Sequence, residues 1–136
     1  MATYNKFQDF VERLGLAVHN LNTATLKVFL TNEAPLATDT VKADMVEITA
    51  QNGYPAGGTD ITNVWSEAAG TGTLAGTDVV FTASGGSFGP FRYAVVYNDD
   101  VVGDPLVCWW DYGSSISCND TETLTVDFAA AIFTIA

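Results

Sequence analysis

The chain has 136 residues and a mass of 14.4 kDa, the size of one domain whose core can fold unaided. Hydrophobic residues make up 48% and charged residues 15%, a balance that excludes bulk disorder, and no apolar run approaches the ~20 residues of a membrane span. Sixteen acids against five bases give a net charge of −11, which leaves few cations for phosphates and argues against nucleic acid or an anionic membrane as a partner.

Residues 5–14 carry a helical signature. Phe7, Phe10, Val11 and Leu14 fall at i, i+3, i+4 and i+7, with Asn5 placed to cap the start and Gly15 to end it. This stripe either packs on the domain's own core or serves as an arm that reaches a neighbouring subunit, which divides the chain into an N-terminal helix or arm (1–24) and a β domain (25–136). Beyond Gly15 the pattern changes to strands. Residues 25–31 form a β-rich run, Val46-Glu47-Ile48 a short alternating piece, and residues 51–58 a dense turn segment rich in glycine. Strands at 64–67 and 78–83 follow, separated by a Gly/Thr stretch, and Gly70-Thr71-Gly72 and Gly85-Gly86-Ser87 read as turns because no lysine follows them to hold a phosphate.

Residues 91–97 are the strongest strand in the chain. Leu106-Val107-Cys108-Trp109-Trp110 comes next, then Asp111-Tyr112-Gly113-Ser114-Ser115 as a turn, and residues 121–128 alternate strictly. Strands 91–98 and 123–128 are therefore expected to be central, with Tyr93, Val95, Leu124, Val126 and Phe128 in the core and Arg92 and Thr125 outside it. Strands every ~10–15 residues with Gly-rich turns between them describe an all-β fold, an antiparallel β-sandwich of jelly-roll or immunoglobulin-like type with a short N-terminal helix or arm.

Catalytic and metal-binding chemistry is sparse. His19 is the single imidazole, and one His with two Cys does not supply a zinc site. Asp99, Asp100 and Asp104 cluster in a loop without an EF-hand pattern, so a solvated loop outweighs a weak calcium site. Trp109 and Trp110 with Tyr112 suggest a sugar-stacking platform, but successive strand residues point to opposite faces, so the two indoles do not share one surface. Cys108 and Cys118 are placed symmetrically about Gly113, and a hairpin turning there would set them across a ladder. The polar opening Met1-Ala2-Thr3-Tyr4-Asn5-Lys6 is unlike an export signal, so synthesis in a reducing cytosol with free thiols is expected, and a disulfide formed outside the cell is the alternative.

Several segments together resemble a known family. Val18-His19-Asn20-Leu21, the run from Leu26 to Pro35, Asn52-Gly53-Tyr54-Pro55-Ala56-Gly57-Gly58, the run from Gly89 to Asp99, and Trp110-Asp111-Tyr112-Gly113 are similar, in the same order, to small tailed-bacteriophage virion proteins of the capsid decoration (cement) kind. The resemblance implies a β-sandwich on the outside of a head, with no catalytic residues and no cofactor. Its partners would be the major capsid protein and sister copies, and its location the virion surface after assembly in the host cytoplasm. Both cysteines depart from the family's usual pattern. The alternative is a tail-fibre or tail-tip module that binds host surface glycans through Trp109 or Trp110.

Charge points to a docking side. Residues 1–50 hold Lys6, Arg13, Lys27 and Lys42 against six acids, whereas residues 51–136 hold Arg92 against ten. The first 35 residues are therefore expected to make more than their share of capsid or subunit contacts, with Phe7 and Phe10 as aromatic anchors and Lys6, Arg13 and Lys27 as the bases beside them.

Overall fold

A computed structural model describes residues 2–136 and gives an all-β, sandwich-like fold of antiparallel sheets with one short helix near the N-terminus. The strands are β1 (Thr3–Lys6), β2 (Leu26–Thr31), β3 (Thr59–Asp60), β4 (Val64–Ala68), β5 (Thr71–Ala75), β6 (Val79–Thr82), β7 (Phe88–Asn98), β8 (Leu106–Cys118), β9 (Thr123–Val126) and β10 (Phe133–Ile135), with helix α1 at Gln8–Gly15. The main sheet has the order β1-β8-β7-β2-β3. Two smaller sheets, β10-β5-β4 and β6-β9, complete the fold.

Strand β7 lies at the centre, as its composition predicts. Burial there shows no period of two, because both faces of the sheet are covered: Tyr93, Val95 and Tyr97 on one side and Ala94, Val96 and Asn98 on the other are all buried. One face is covered by the segment between β2 and β3. There the Lys42 ammonium sits over the Phe29 ring (5.0 Å to its centroid) and Tyr97 donates to the Gly57 carbonyl (2.7 Å). The other face carries Trp110, which meets Phe128 with ring centroids 5.4 Å apart.

The smaller sheets form one interrupted ladder. Leu74 pairs with Phe133 and Val79 with Val126 in the same sense, so β5 and β6 run on from each other and face β10 and β9 across a break at residues 76–78 and 127–132. Val126 and Phe128 are core, as the alternation predicts, and Leu124 is half-buried. Their strand is not central, however: β9 pairs with β6 alone, so its other edge is open.

Three local readings are corrected by the structure. Asn5 is not a helix cap but part of β1, opposite Trp109, and Phe7 takes the N-cap position without a side-chain hydrogen bond. The Gly70-Thr71-Gly72 turn is only half a turn, because Thr71 and Gly72 already belong to β5. Gly113 does not turn a hairpin. It takes φ +87° inside the long strand β8, whose far end continues to pair with β7 at Phe91↔Ile116 and Phe88↔Cys118. Cys108 and Cys118 therefore lie along one strand, roughly 30 Å apart, far beyond the reach of a disulfide, and both thiols are free and buried.

The turn segment at residues 51–58 closes the edge of β2. Beyond β3 the Leu30 N–H would be left open, and the Tyr54 hydroxyl accepts it (2.9 Å) while donating to Glu47 (2.7 Å). Glu47 also takes the Gly57 N–H (2.7 Å) and pairs with Lys42 (2.8 Å). Val46-Glu47-Ile48 is thus not a strand but a bridge at Thr31↔Glu47 whose carboxylate ties three elements together. At Gly58, with φ +72°, a Cβ would overlap the Val28 backbone carbonyl, so only glycine allows this approach.

Candidate functional site

The five residues expected at a docking surface are not brought together as one. Phe7 is fully buried and Phe10 is 3% exposed; Phe7 packs on Trp109 with centroids 4.4 Å apart, and Phe10 packs on His19 and Phe133. The helix stripe packs on the chain's own core, so neither ring is available as an anchor in this fold. Residues 3–6 form the edge strand of the main sheet, so the boundary at residue 24 separates no arm. Lys6 is exposed on β1, Arg13 pairs with Asp9 one helical turn before it, and Lys27 pairs with Asp99 (2.9 Å). The exposed apolar side chains here are Val11 on α1 and Leu16 at its C-cap, 53% and 66% exposed.

The loop acids are used structurally. Asp100 accepts the Thr25 N–H (2.7 Å) and Asp99 pairs with Lys27. Among the described residues no group of three or more His, Cys, Asp or Glu could hold a metal ion, and no helix is long and apolar enough to cross a membrane. His19 is buried and its Nδ1 lies 3.1 Å from the Asn98 Nδ2. Asn98 Oδ1 accepts the Asp100 N–H (3.0 Å), which fixes the amide so that Nδ2 faces the ring and Nδ1 must accept. The ring proton therefore sits on Nε2, which is buried without a partner among the described residues.

The most site-like feature is an aromatic cavity at the side of the sandwich. The two layers part where β1 edges the main sheet and β9 and β10 present their open edges. Helix α1 borders one half of this opening: Phe10 packs edge-on against Phe133 (centroids 5.6 Å apart), and a cavity of about 380 Å³ lies between Phe10, Val11 and Leu14 on one side and Tyr4, Phe133 and Ile135 on the other. The other half is a second cavity, of about 390 Å³, lined by Tyr4, Trp110 and Tyr112 on one wall and by residues 125–129 on the other. Strand geometry explains the first wall. Trp110 and Tyr112 are two residues apart on β8, and Tyr4 is directly opposite Trp110 on β1. The Tyr4 and Trp110 rings meet edge to face at 5.7 Å and 66°.

Polar groups enter from the second wall. Asp127 gives one carboxylate oxygen to the Ala129 N–H (2.7 Å), and the other makes no hydrogen bond among the described residues. Thr125 lines the cavity on the open edge of β9. The Tyr112 hydroxyl is pushed up to about 12 by burial, so it stays a neutral donor across the physiological range. Trp109 points the other way, into the core beside Phe7, so the two indoles occupy opposite faces as strand alternation requires. Sequence reasoning singled out Trp110 and Tyr112, whose spacing of two is the signal that they share a face. It missed Tyr4 and Asp127, because each joins the cavity through pairing between segments remote in sequence.

Comparison with protein-family models, curated proteins and solved structures finds no match to this chain.

Proposed function

We propose that the chain is a non-enzymatic structural protein of a tailed-phage virion that decorates and stabilises the outer surface of the capsid. The observation that carries this reading is the ordered resemblance of five segments to small virion proteins. The positions of those segments in the fold support it. Residues 26–35 and 89–99 contain the paired strands β2 and β7, and residues 52–58 are the brace at the edge of β2. What the resemblance picks out is therefore framework, which suits a protein whose task is to hold a shape on a shell. The acidic excess of −11 suits a protein packed at high copy number, since like-charged copies resist non-specific association.

The partners on this reading are the major capsid protein and sister copies. With Phe7 and Phe10 buried, exposed Lys6, Val11 and Leu16 are candidate N-terminal contacts with them. The deciding experiment is a count of copies per purified particle by quantitative mass spectrometry. Hundreds of copies that bind shells lacking the protein support decoration of the head. A few to a few dozen place it in the tail and overturn the capsid reading.

A further inference from the structure

We propose that the cavity formed by Tyr4, Trp110, Tyr112 and residues 125–129 is a binding site for a neutral pyranose sugar. The inference concerns this chain's own surface and holds for a head protein or a tail protein alike. Its first support is the clustering of aromatic side chains on one wall. Trp110 and Tyr112 share a face of β8, and Tyr4 joins them from β1. A pyranose carries C–H bonds on its ring faces and hydroxyls around its rim, so it is bound by an aromatic wall with polar groups at the edge. The second support is that this edge exists. Asp127, which keeps one carboxylate oxygen without a hydrogen bond among the described residues, Tyr112 and Thr125 all line the same cavity.

Size and charge narrow the ligand. At about 390 Å³ the cavity lies within the ~300–1,000 Å³ range of small-molecule sites, and it is walled on both sides, by β1 and β8 and by residues 125–129. The lining contains one acid, Asp127, and no base, on a protein of net charge −11. Sialic acids and uronic acids are therefore disfavoured, and neutral hexoses or N-acetylhexosamines are the class selected.

The test is an NMR titration of the isotope-labelled full chain with galactose, glucose, N-acetylglucosamine and N-acetylneuraminic acid, each separately. The expected result is a saturable shift of the Trp110 indole resonance and of the amides at residues 125–129 with at least one neutral sugar, and none with N-acetylneuraminic acid. Tyr112→Leu, which keeps apolar bulk but removes the ring and hydroxyl, should weaken that binding by about tenfold. Asp127→Asn, which preserves the turn to Ala129, should weaken it by about threefold and serves as the informative variant should Tyr112→Leu fail to fold. Val80→Ala, on an exposed part of β6 outside the cavity, should leave it unchanged. The proposal is overturned if no neutral sugar shifts these resonances, if the acidic sugar binds as well as the neutral ones, or if the folded Tyr112 and Asp127 variants bind with unaltered affinity.

Discussion

Between neutral pH and about pH 4, acid should destabilise this protein at a buried imidazole, His19. Its imidazole is 5% exposed, packed on Phe10 and held by Asn98. Burial is the largest influence on it, the Arg13 charge adds to it, and Asp9 opposes both, so its pKa falls from 6.5 to about 4. Protonation would also place a second donor against Asn98 Nδ2, since Nδ1 would no longer accept. Because the folded pKa lies below the unfolded one, the unfolded chain binds the extra proton first as pH falls. The stabilisation is present in full above about pH 6.5, declines as pH drops through that value, and is lost near pH 4. At 1.36 kcal/mol per pKa unit, the interval corresponds to about 3 kcal/mol as an upper figure. The assay is urea unfolding of wild type and His19→Gln at a series of pH values across that window. The Gln variant keeps an acceptor within reach of Asn98 but cannot titrate, so its stability should fall less with acid, by up to about 3 kcal/mol between pH 7 and 4. Parallel pH profiles, within about 0.5 kcal/mol of each other, would refute the reasoning.

Three further outcomes follow from packing. Gly58→Ala places a Cβ on the Val28 carbonyl at φ +72°, and should cost at least about 2 kcal/mol in urea unfolding, whereas Gly85→Ala, at φ +79° in open space, should cost only about 1 kcal/mol. Val126→Ala removes buried methyl groups from the core side of β9 and should cost about 1–3 kcal/mol, while a loss under 0.5 kcal/mol would show that the face assignment is wrong. Burial pushes both thiols up, Cys108 well above the ordinary range, so neither should react with a thiol-specific reagent at neutral pH until denaturant is added. Fast labelling of either in the native protein would contradict its burial.

The strands legible in the sequence are those whose side chains announce them. The run of β-branched and aromatic residues at 91–97 predicts the centre of the main sheet, and alternation at 124–128 predicts which of those residues face in. What the sequence hides is decided by partners far along the chain. Nothing in Thr3-Tyr4-Asn5-Lys6 marks a strand, and it becomes one by pairing with residues 108–111. Asp111-Tyr112-Gly113 has the chemistry of a turn, and the same left-handed glycine serves equally well for a bulge inside β8; only the pairing with β7 distinguishes the two. The helix stripe was readable as amphipathic, and its choice of the chain's own core over a neighbour rests on Trp109 and Phe133, the rings that receive Phe7 and Phe10. The candidate site was half legible for the same reason: Trp110 and Tyr112 show their shared face by spacing, whereas Tyr4 and Asp127 arrive through the tertiary fold.

The pairing of β1 with β8 also sets an order of events during synthesis. Thr3 leaves the ribosome long before its partner Asp111, and β2 likewise waits for β7, with Leu26 opposite Asn98. Until then Phe7 and Phe10 have no Trp109 or Phe133 to pack against, and the nascent chain exposes an apolar N-terminal segment with no core to receive it. Folding of the main sheet is thus a late event dominated by contacts between distant residues, a topology associated with slow folding and with aggregation of the waiting chain. Overexpression should therefore give better soluble yields in the cold, where hydrophobic association between waiting chains is weaker, although the finished protein gains no new contact from the change.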